Sequence, residues 1–185
     1  LFFFMIIGLT GTMGAGKSEV VKYLKNKGFE HYVYSDILKG IAKQRNIEPT
    51  RKNLRELGTK IKKETKNMGI LSINLLKKIK TDKAVVDGIR NASEIRELRK
   101  RKDVYIIGVT AQQKPRYQRL KKRKRTGDPK TFEEFKKADN LENRGKTKGQ
   151  NINNCLKMAD FTINNSGSLE QLKKNIEKIL KTISS

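Results

Sequence analysis

Residues 11–18 read Gly-Thr-Met-Gly-Ala-Gly-Lys-Ser, and no other segment restricts the fold of this chain as tightly. The spacing is G-x-x-x-x-G-K-S. It follows an apolar run, Met5–Thr10, and precedes a segment in which Val20, Val21 and Leu24 share one helical face. A strand must therefore end where a helix begins, with a glycine-rich bend between them. Glycines let that bend turn tightly and bring backbone N–H groups up to phosphate oxygens. The helix N-terminus adds positive dipole at the same point. Lys17 is then expected to reach terminal phosphates, and Ser18 to offer an oxygen to Mg²⁺.

The rest of the chain alternates in the same way. Strands are expected at Met5–Thr10, His31–Tyr34, Ala84–Asp87, Val104–Thr110 and Phe161–Ile163. Helical patterns fill 17–27, 35–45, 50–66, 70–79, 93–102, 114–124, 132–141, 152–158 and 169–183. Capping boxes are expected at Thr131 with Glu134 and at Ser168 with Gln171. This alternation points to an α/β domain with a mostly parallel sheet, and 185 residues suit a single domain, 1–185. Residues 121–130, ending in Thr126-Gly127-Asp128-Pro129, and 143–150 read as loop or inserted parts.

Composition narrows the chemistry. One cysteine, Cys155, excludes an internal disulfide framework and a Cys-rich zinc site. One histidine, His31, excludes a multi-histidine metal site and reads as a surface residue at a strand end. The formal net charge of +24 favours anionic partners. The apolar run Leu1–Leu9 is too short to span a bilayer and lacks a basic leader, so no membrane partner and a cytoplasmic location are expected. Met5 reads as a start, with Leu1–Phe4 an upstream extension.

Two further segments carry chemistry. Val85-Val86-Asp87-Gly88-Ile89-Arg90 is an apolar strand ending in a carboxylate. In a doubly wound sheet the strand C-termini line the ligand crevice. Asp87 would hold Mg²⁺ through water or orient an acceptor, and Arg90 would clamp an acceptor phosphate. The stretch from Lys114 to Arg125 holds eight basic residues and no acid. On a helix, Arg116, Arg119 and Arg123 share a face. A mobile lid closing over a transferring phosphoryl group is the favoured reading. A nucleic-acid surface and a solvated helix face are its rivals.

With these residues in hand, the chain from Ile6 to Leu180 resembles the P-loop kinases of the nucleoside-monophosphate kinase group, small adenylate-kinase-like and dephospho-CoA-kinase-like proteins. Asp87-Gly88-Ile89-Arg90 resembles the Asp-Gly-x-(Pro)-Arg segment of adenylate kinases. Ser35-Asp36-Ile37-Leu38-Lys39 resembles their acceptor segment Gly-Asp-x-Leu-Arg, with Lys39 in place of arginine. Asn164-Asn165 with Gly167 resembles the loop beside the donor base, and Gln150 is shared with dephospho-CoA kinases. Those kinases carry an Asp-x-Asp pair where this chain has only Asp36.

The resemblance implies a P-loop NTPase three-layer sandwich: a five-stranded parallel sheet, a helical acceptor-binding insertion at about 35–80 and a lid at about 116–145. It implies ATP and Mg²⁺ as cofactors and transfer of the γ-phosphoryl to a small phosphorylated acceptor, a (deoxy)nucleoside monophosphate. Dephospho-CoA is the alternative acceptor, and an ATP-binding, nucleic-acid-associated protein without kinase activity is the alternative class. Catalysis is expected from Lys17, Asp87, Arg119 and Arg123. The nucleotide would be held by Gly11, Thr12, Met13, Gly14, Ala15, Gly16, Lys17, Ser18, Glu19, Asn165 and Gly167. The acceptor would be held by Ser35, Asp36, Lys39, Arg55, Lys62 and Arg90, and the metal by Ser18 and Asp87. A monomer or homodimer is expected.

Overall fold

The computed structural model describes residues 4–125, 127–143 and 151–185. At its centre five parallel strands run in the order β2-β3-β1-β4-β5. β1 (Met5–Gly11) takes the middle position because all of its residues are buried. A strand apolar on both faces is satisfied only when both faces are covered. β3 (Lys83–Ile89) and β4 (Val104–Thr110) flank it, and the short, partly exposed β2 (Glu30–Val33) and β5 (Phe161–Asn164) close the edges.

Alternation along the strands splits the core in two. On one face Ile7, Leu9, Val85, Ile107 and Val109 pack against Val20, Val21 and Leu24 of α1 (Lys17–Asn26) and Leu172 and Ile176 of α9 (Leu169–Ser184). On the other, Ile6, Ala84, Val86 and Ile106 meet α2 (Tyr34–Gln44), α4 (Ile70–Leu76), α5 (Ala92–Leu98) and α8 (Ile152–Lys157). Each fully buried Ile or Leu contributes about 1.5–3 kcal/mol from apolar burial. α3 (Arg51–Glu64) rides outside on α2 through Ala42, Leu57 and Ile61. α6 (Gln113–Arg123) and α7 (Phe132–Asn143) follow β4, joined by a cluster of Tyr117, Phe132 and Phe135 with ring centroids 5.3–5.9 Å apart.

The expected five strands and nine helical segments are all found among the described residues, with ends shifted by a few residues. Tyr34, expected to end a strand, instead opens α2. Its ring is buried and its hydroxyl lies 2.7 Å from Ser72 Oγ. β3 runs two residues beyond the expected Asp87, through a register irregularity where Gly88 takes φ +94. The box at Thr131 and Glu134 forms in both directions. At Ser168 only half forms: its Oγ accepts from the Gln171 N–H, and the Gln171 side chain donates to Asn175. Thr126 and the loop expected over 143–150, with Gln150, lie outside the described residues at 126 and from 144 on.

Candidate active site

The glycine-rich bend leaves β1 at Gly11 and enters α1 at Lys17. Its cap, Gly16, has φ +96, and a Cβ there would stand 2.3 Å from Asn165 Nδ2. Only glycine meets both conditions. Lys17 folds back over the bend, donating from Nζ to the carbonyls of Gly11 at 2.8 Å and Thr12 at 3.2 Å. Burial lowers its pKa to about 8; Asp87 and Glu142 pull it upward, while Arg90 and Arg123 push it down. All four charges act on the ammonium through space. Ser18 and Glu19 are exposed in the first turn of α1, and Met13 and Gly14 are half-buried on the bend.

Asp87 ends the regular part of β3, in register with Leu9 of β1 and Val33 of β2. Its Oδ1 is buried without a hydrogen-bond partner, as are Thr12 Oγ1, His31 Nε2 and Asn143 Oδ1. Buried polar groups are nearly always paired, so unpaired ones beside a phosphate-binding bend mark a place for a ligand or water. Arg90 leaves β3 on the same edge. Its backbone N–H donates to Glu94 Oε2 at 3.0 Å, and its guanidinium stands 3.6 Å from Glu142 of α7. Glu94 also completes the Asn91 capping box of α5.

The three arginines of α6 do different work: Arg116 is buried, Arg119 half-buried and Arg123 exposed. Arg116 is not a lid cation. It is 4% exposed, pairs with both carboxylate oxygens of Asp139 at 2.6 and 2.7 Å, and donates to Ala111 O and Met13 O. It ties the bend to α7. Arg119 donates to Ala15 O at 3.3 Å and Asn165 O at 2.7 Å, bracing the bend from behind. Arg123 is held by two bonds to Asp128.

Asn165 is buried, and its Nδ2 donates to Ala15 O at 2.8 Å, so its side chain supports the bend. Gly167 is exposed in the turn before Ser168. In the helical insertion, Ser35 is half-buried, while the exposed Asp36 and Lys39 pair with each other at 2.8 Å. Arg55 is exposed. Lys62 points to Glu94 at 3.0 Å with little exposure on either side, which joins α3 to the α5 cap. Sequence reasoning passed over Glu142, Glu94 and Asp139. Each is one acid among several on a helix, and only contacts 23 to 52 residues away single them out. For His31, its position two residues before the end of β2, beside a strand ending in Asp, was an available signal.

Among the described residues no group of three or more His, Cys, Asp or Glu could hold a metal alone. The unpaired Asp87 Oδ1 and the exposed Ser18 hydroxyl instead suit a cation that shares phosphate oxygens, as Mg²⁺ commonly does. No described helix is long and apolar enough to cross a membrane.

A bend of this kind on a central strand of a parallel sheet defines an α/β P-loop protein, and comparison agrees: a family model described as an AAA domain matches residues 7–151. A UPF0200 protein of Pyrococcus abyssi is 35% identical over 190 residues, covering 97% of each chain, and one of Hyperthermus butylicus is 31% identical, covering 95% of this chain and 93% of that one. The chain belongs to the UPF0200 family. Among solved structures, shikimate kinase from Acinetobacter baumannii in complex with shikimate superposes with a TM-score of 0.63 at 16% identity, covering 97% of this chain and 94% of that one. Shikimate kinase from Bacteroides thetaiotaomicron gives 0.59 at 13% identity, covering 98% and 99%. The shared feature is the fold, that of the P-loop kinases.

Proposed function

We propose that the chain is an ATP-dependent phosphotransferase that moves the γ-phosphoryl group to a small phosphorylated acceptor, a (deoxy)nucleoside monophosphate. The observation that carries this reading is Lys17, half-buried and folded over the glycine bend, together with the buried, unpaired Oδ1 of Asp87 at the end of β3.

Lys17 would leave the carbonyls of Gly11 and Thr12 for the β- and γ-phosphates, which offer a charged acceptor in place of neutral ones. The amides of residues 12–18 and the N-terminus of α1 would hold the remaining oxygens. Ser18 and Asp87 would hold Mg²⁺, which when bound neutralises charge on the phosphates. Arg90, only 3.6 Å from Glu142 and exposed, is free to exchange that carboxylate for an acceptor phosphate. Arg123 would make the same exchange from Asp128, and Arg119 would keep the bend rigid while touching its outer oxygens. Ser35, Asp36, Lys39 and Arg55, in the helical insertion at about 35–80, would receive the acceptor, with Lys62 tying the insertion to α5 through Glu94. An acceptor phosphate is ionised at neutral pH, so positioning replaces base catalysis. The free, buried Cys155 is in keeping with a reducing cytoplasm.

The test is ADP release with Mg²⁺-ATP and a panel of nucleoside monophosphates, dephospho-CoA and small hydroxyl acceptors. Transfer to a monophosphate is expected. Transfer only to dephospho-CoA or another hydroxyl would reassign the acceptor. Lys17→Ala is expected to lower turnover by a factor of about 10²–10³ with the fold intact. Unchanged turnover in that variant would refute the site.

A further inference from the structure

His31 is the one histidine of the chain. It lies in β2 opposite Val85, while Val33 lies opposite Asp87. Side chains alternate along a strand, so His31 and Asp87 project from the same sheet face, the face that α1 covers. His31 Nε2 stands 3.9 Å from Asp87 Oδ2. Nε2 and the other carboxylate oxygen, Oδ1, are both buried without a partner. At 3.9 Å no hydrogen bond exists, but a shift of about 1 Å would make one.

The position of Asp87 creates a conflict. Its carboxylate attracts the Lys17 ammonium, and direct pairing between them would remove from the site the two groups it most needs. Lys17 instead donates to main-chain carbonyls. The side chain placed to hold the carboxylate is His31 on the neighbouring strand, with Nε2 3.9 Å from Oδ2. We infer that His31 is a positioning residue of the phosphotransfer site: in the nucleotide-bound protein Nε2–H donates to Asp87 Oδ2 and thereby leaves Oδ1 for the cation that shares the phosphate oxygens. The inference rests on the phosphotransferase reading above. It requires the tautomer with the proton on Nε2, because a bare Nε2 would set its lone pair against a carboxylate.

A lone histidine is its own reporter. Long-range ¹H–¹⁵N spectra of the full chain labelled at histidine read the tautomer of His31 directly. The Nε2-protonated form is expected, with its resonances moving when Mg²⁺ and a non-hydrolysable ATP analogue are added, and with that tautomer preference lost in Asp87→Asn. In kinetics, His31→Ala is expected to lower kcat about 10-fold with KM for ATP within about twofold, and His31→Gln, which keeps an N–H donor, to recover most of the loss. A Nδ1-protonated imidazole overturns the inference. So does a wild-type kcat in His31→Ala when Lys17→Ala has lost turnover, a result that leaves the phosphotransferase reading standing. Undiminished turnover in Lys17→Ala would sink both.

Discussion

Lys17 shows what burial does to a phosphate-binding cation. Its ammonium discharges as pH rises through about 8, whereas in the unfolded chain it stays charged to about 10.5. Phosphate binding needs the charged form, so ATP affinity should fall as pH rises above about 8, read by calorimetric titration from pH 7 to 10. The stability consequence has the opposite sense. Between those two values the unfolded chain binds more protons, so the penalty for burying Lys17 shrinks as pH rises. Lys17→Met should therefore stabilise the ligand-free protein at pH 7, with a gain that fades toward pH 10. Gly16 is constrained differently, by its left-handed backbone and by Asn165 at 2.3 Å from any added Cβ. Gly16→Ala should cost about 1–2 kcal/mol in urea denaturation and abolish detectable ATP binding.

Among elements, the junction of α6 with α7 depends on a pair that water barely reaches. The side chains of Arg116 and Asp139 are 5% and 2% exposed. Removing one partner of such a pair strands a buried charge, whereas replacing both by apolar groups is often tolerated. Asp139→Ala should lose about 3–5 kcal/mol in chemical denaturation, and the double change Arg116→Met with Asp139→Leu should lose much less. Because Arg116 also holds Met13 O, the single change should loosen the bend and weaken nucleotide binding as well. The Glu94 carboxylate plays a comparable part at α5. It caps the helix, fixes the Arg90 backbone and accepts from Lys62, so one side chain sets the spacing of strand end, helix start and insertion.

Over the whole molecule, all five strands point their C-terminal ends to one edge, and the bend, Asp87, Arg90 and the base of α6 collect there. A ligand seated at that edge touches segments from both halves of the sheet and ought to stabilise them together. Mg²⁺-ATP at a hundred times its Kd should add about 2.7 kcal/mol to unfolding, seen as a concentration-dependent rise in Tm. The net charge of +24 adds a long-range term. It should speed encounter with anionic nucleotides at low ionic strength, and that advantage should shrink as salt screens it.

The alternation of strands and helices, the bend at 11–18 and the shared face of Arg116, Arg119 and Arg123 were legible in the sequence, because each is a local pattern with a fixed period or spacing. Tyr34 was misjudged because an aromatic suits a strand as well as a helix start, and burial against Ser72 decides between them. The division of labour among the three arginines was not legible. It depends on Asp139, Asp128 and the Ala15 carbonyl, which the fold brings to them. The same holds for His31, whose meaning changes once β2 is laid beside β3. By itself the sequence determined where the backbone must bend around phosphate, since glycine spacing and a following helix act over a few residues. Only the tertiary structure decided which charges face that bend and which are spent on holding it, since those partners are distant in the chain and meet only when the sheet assembles.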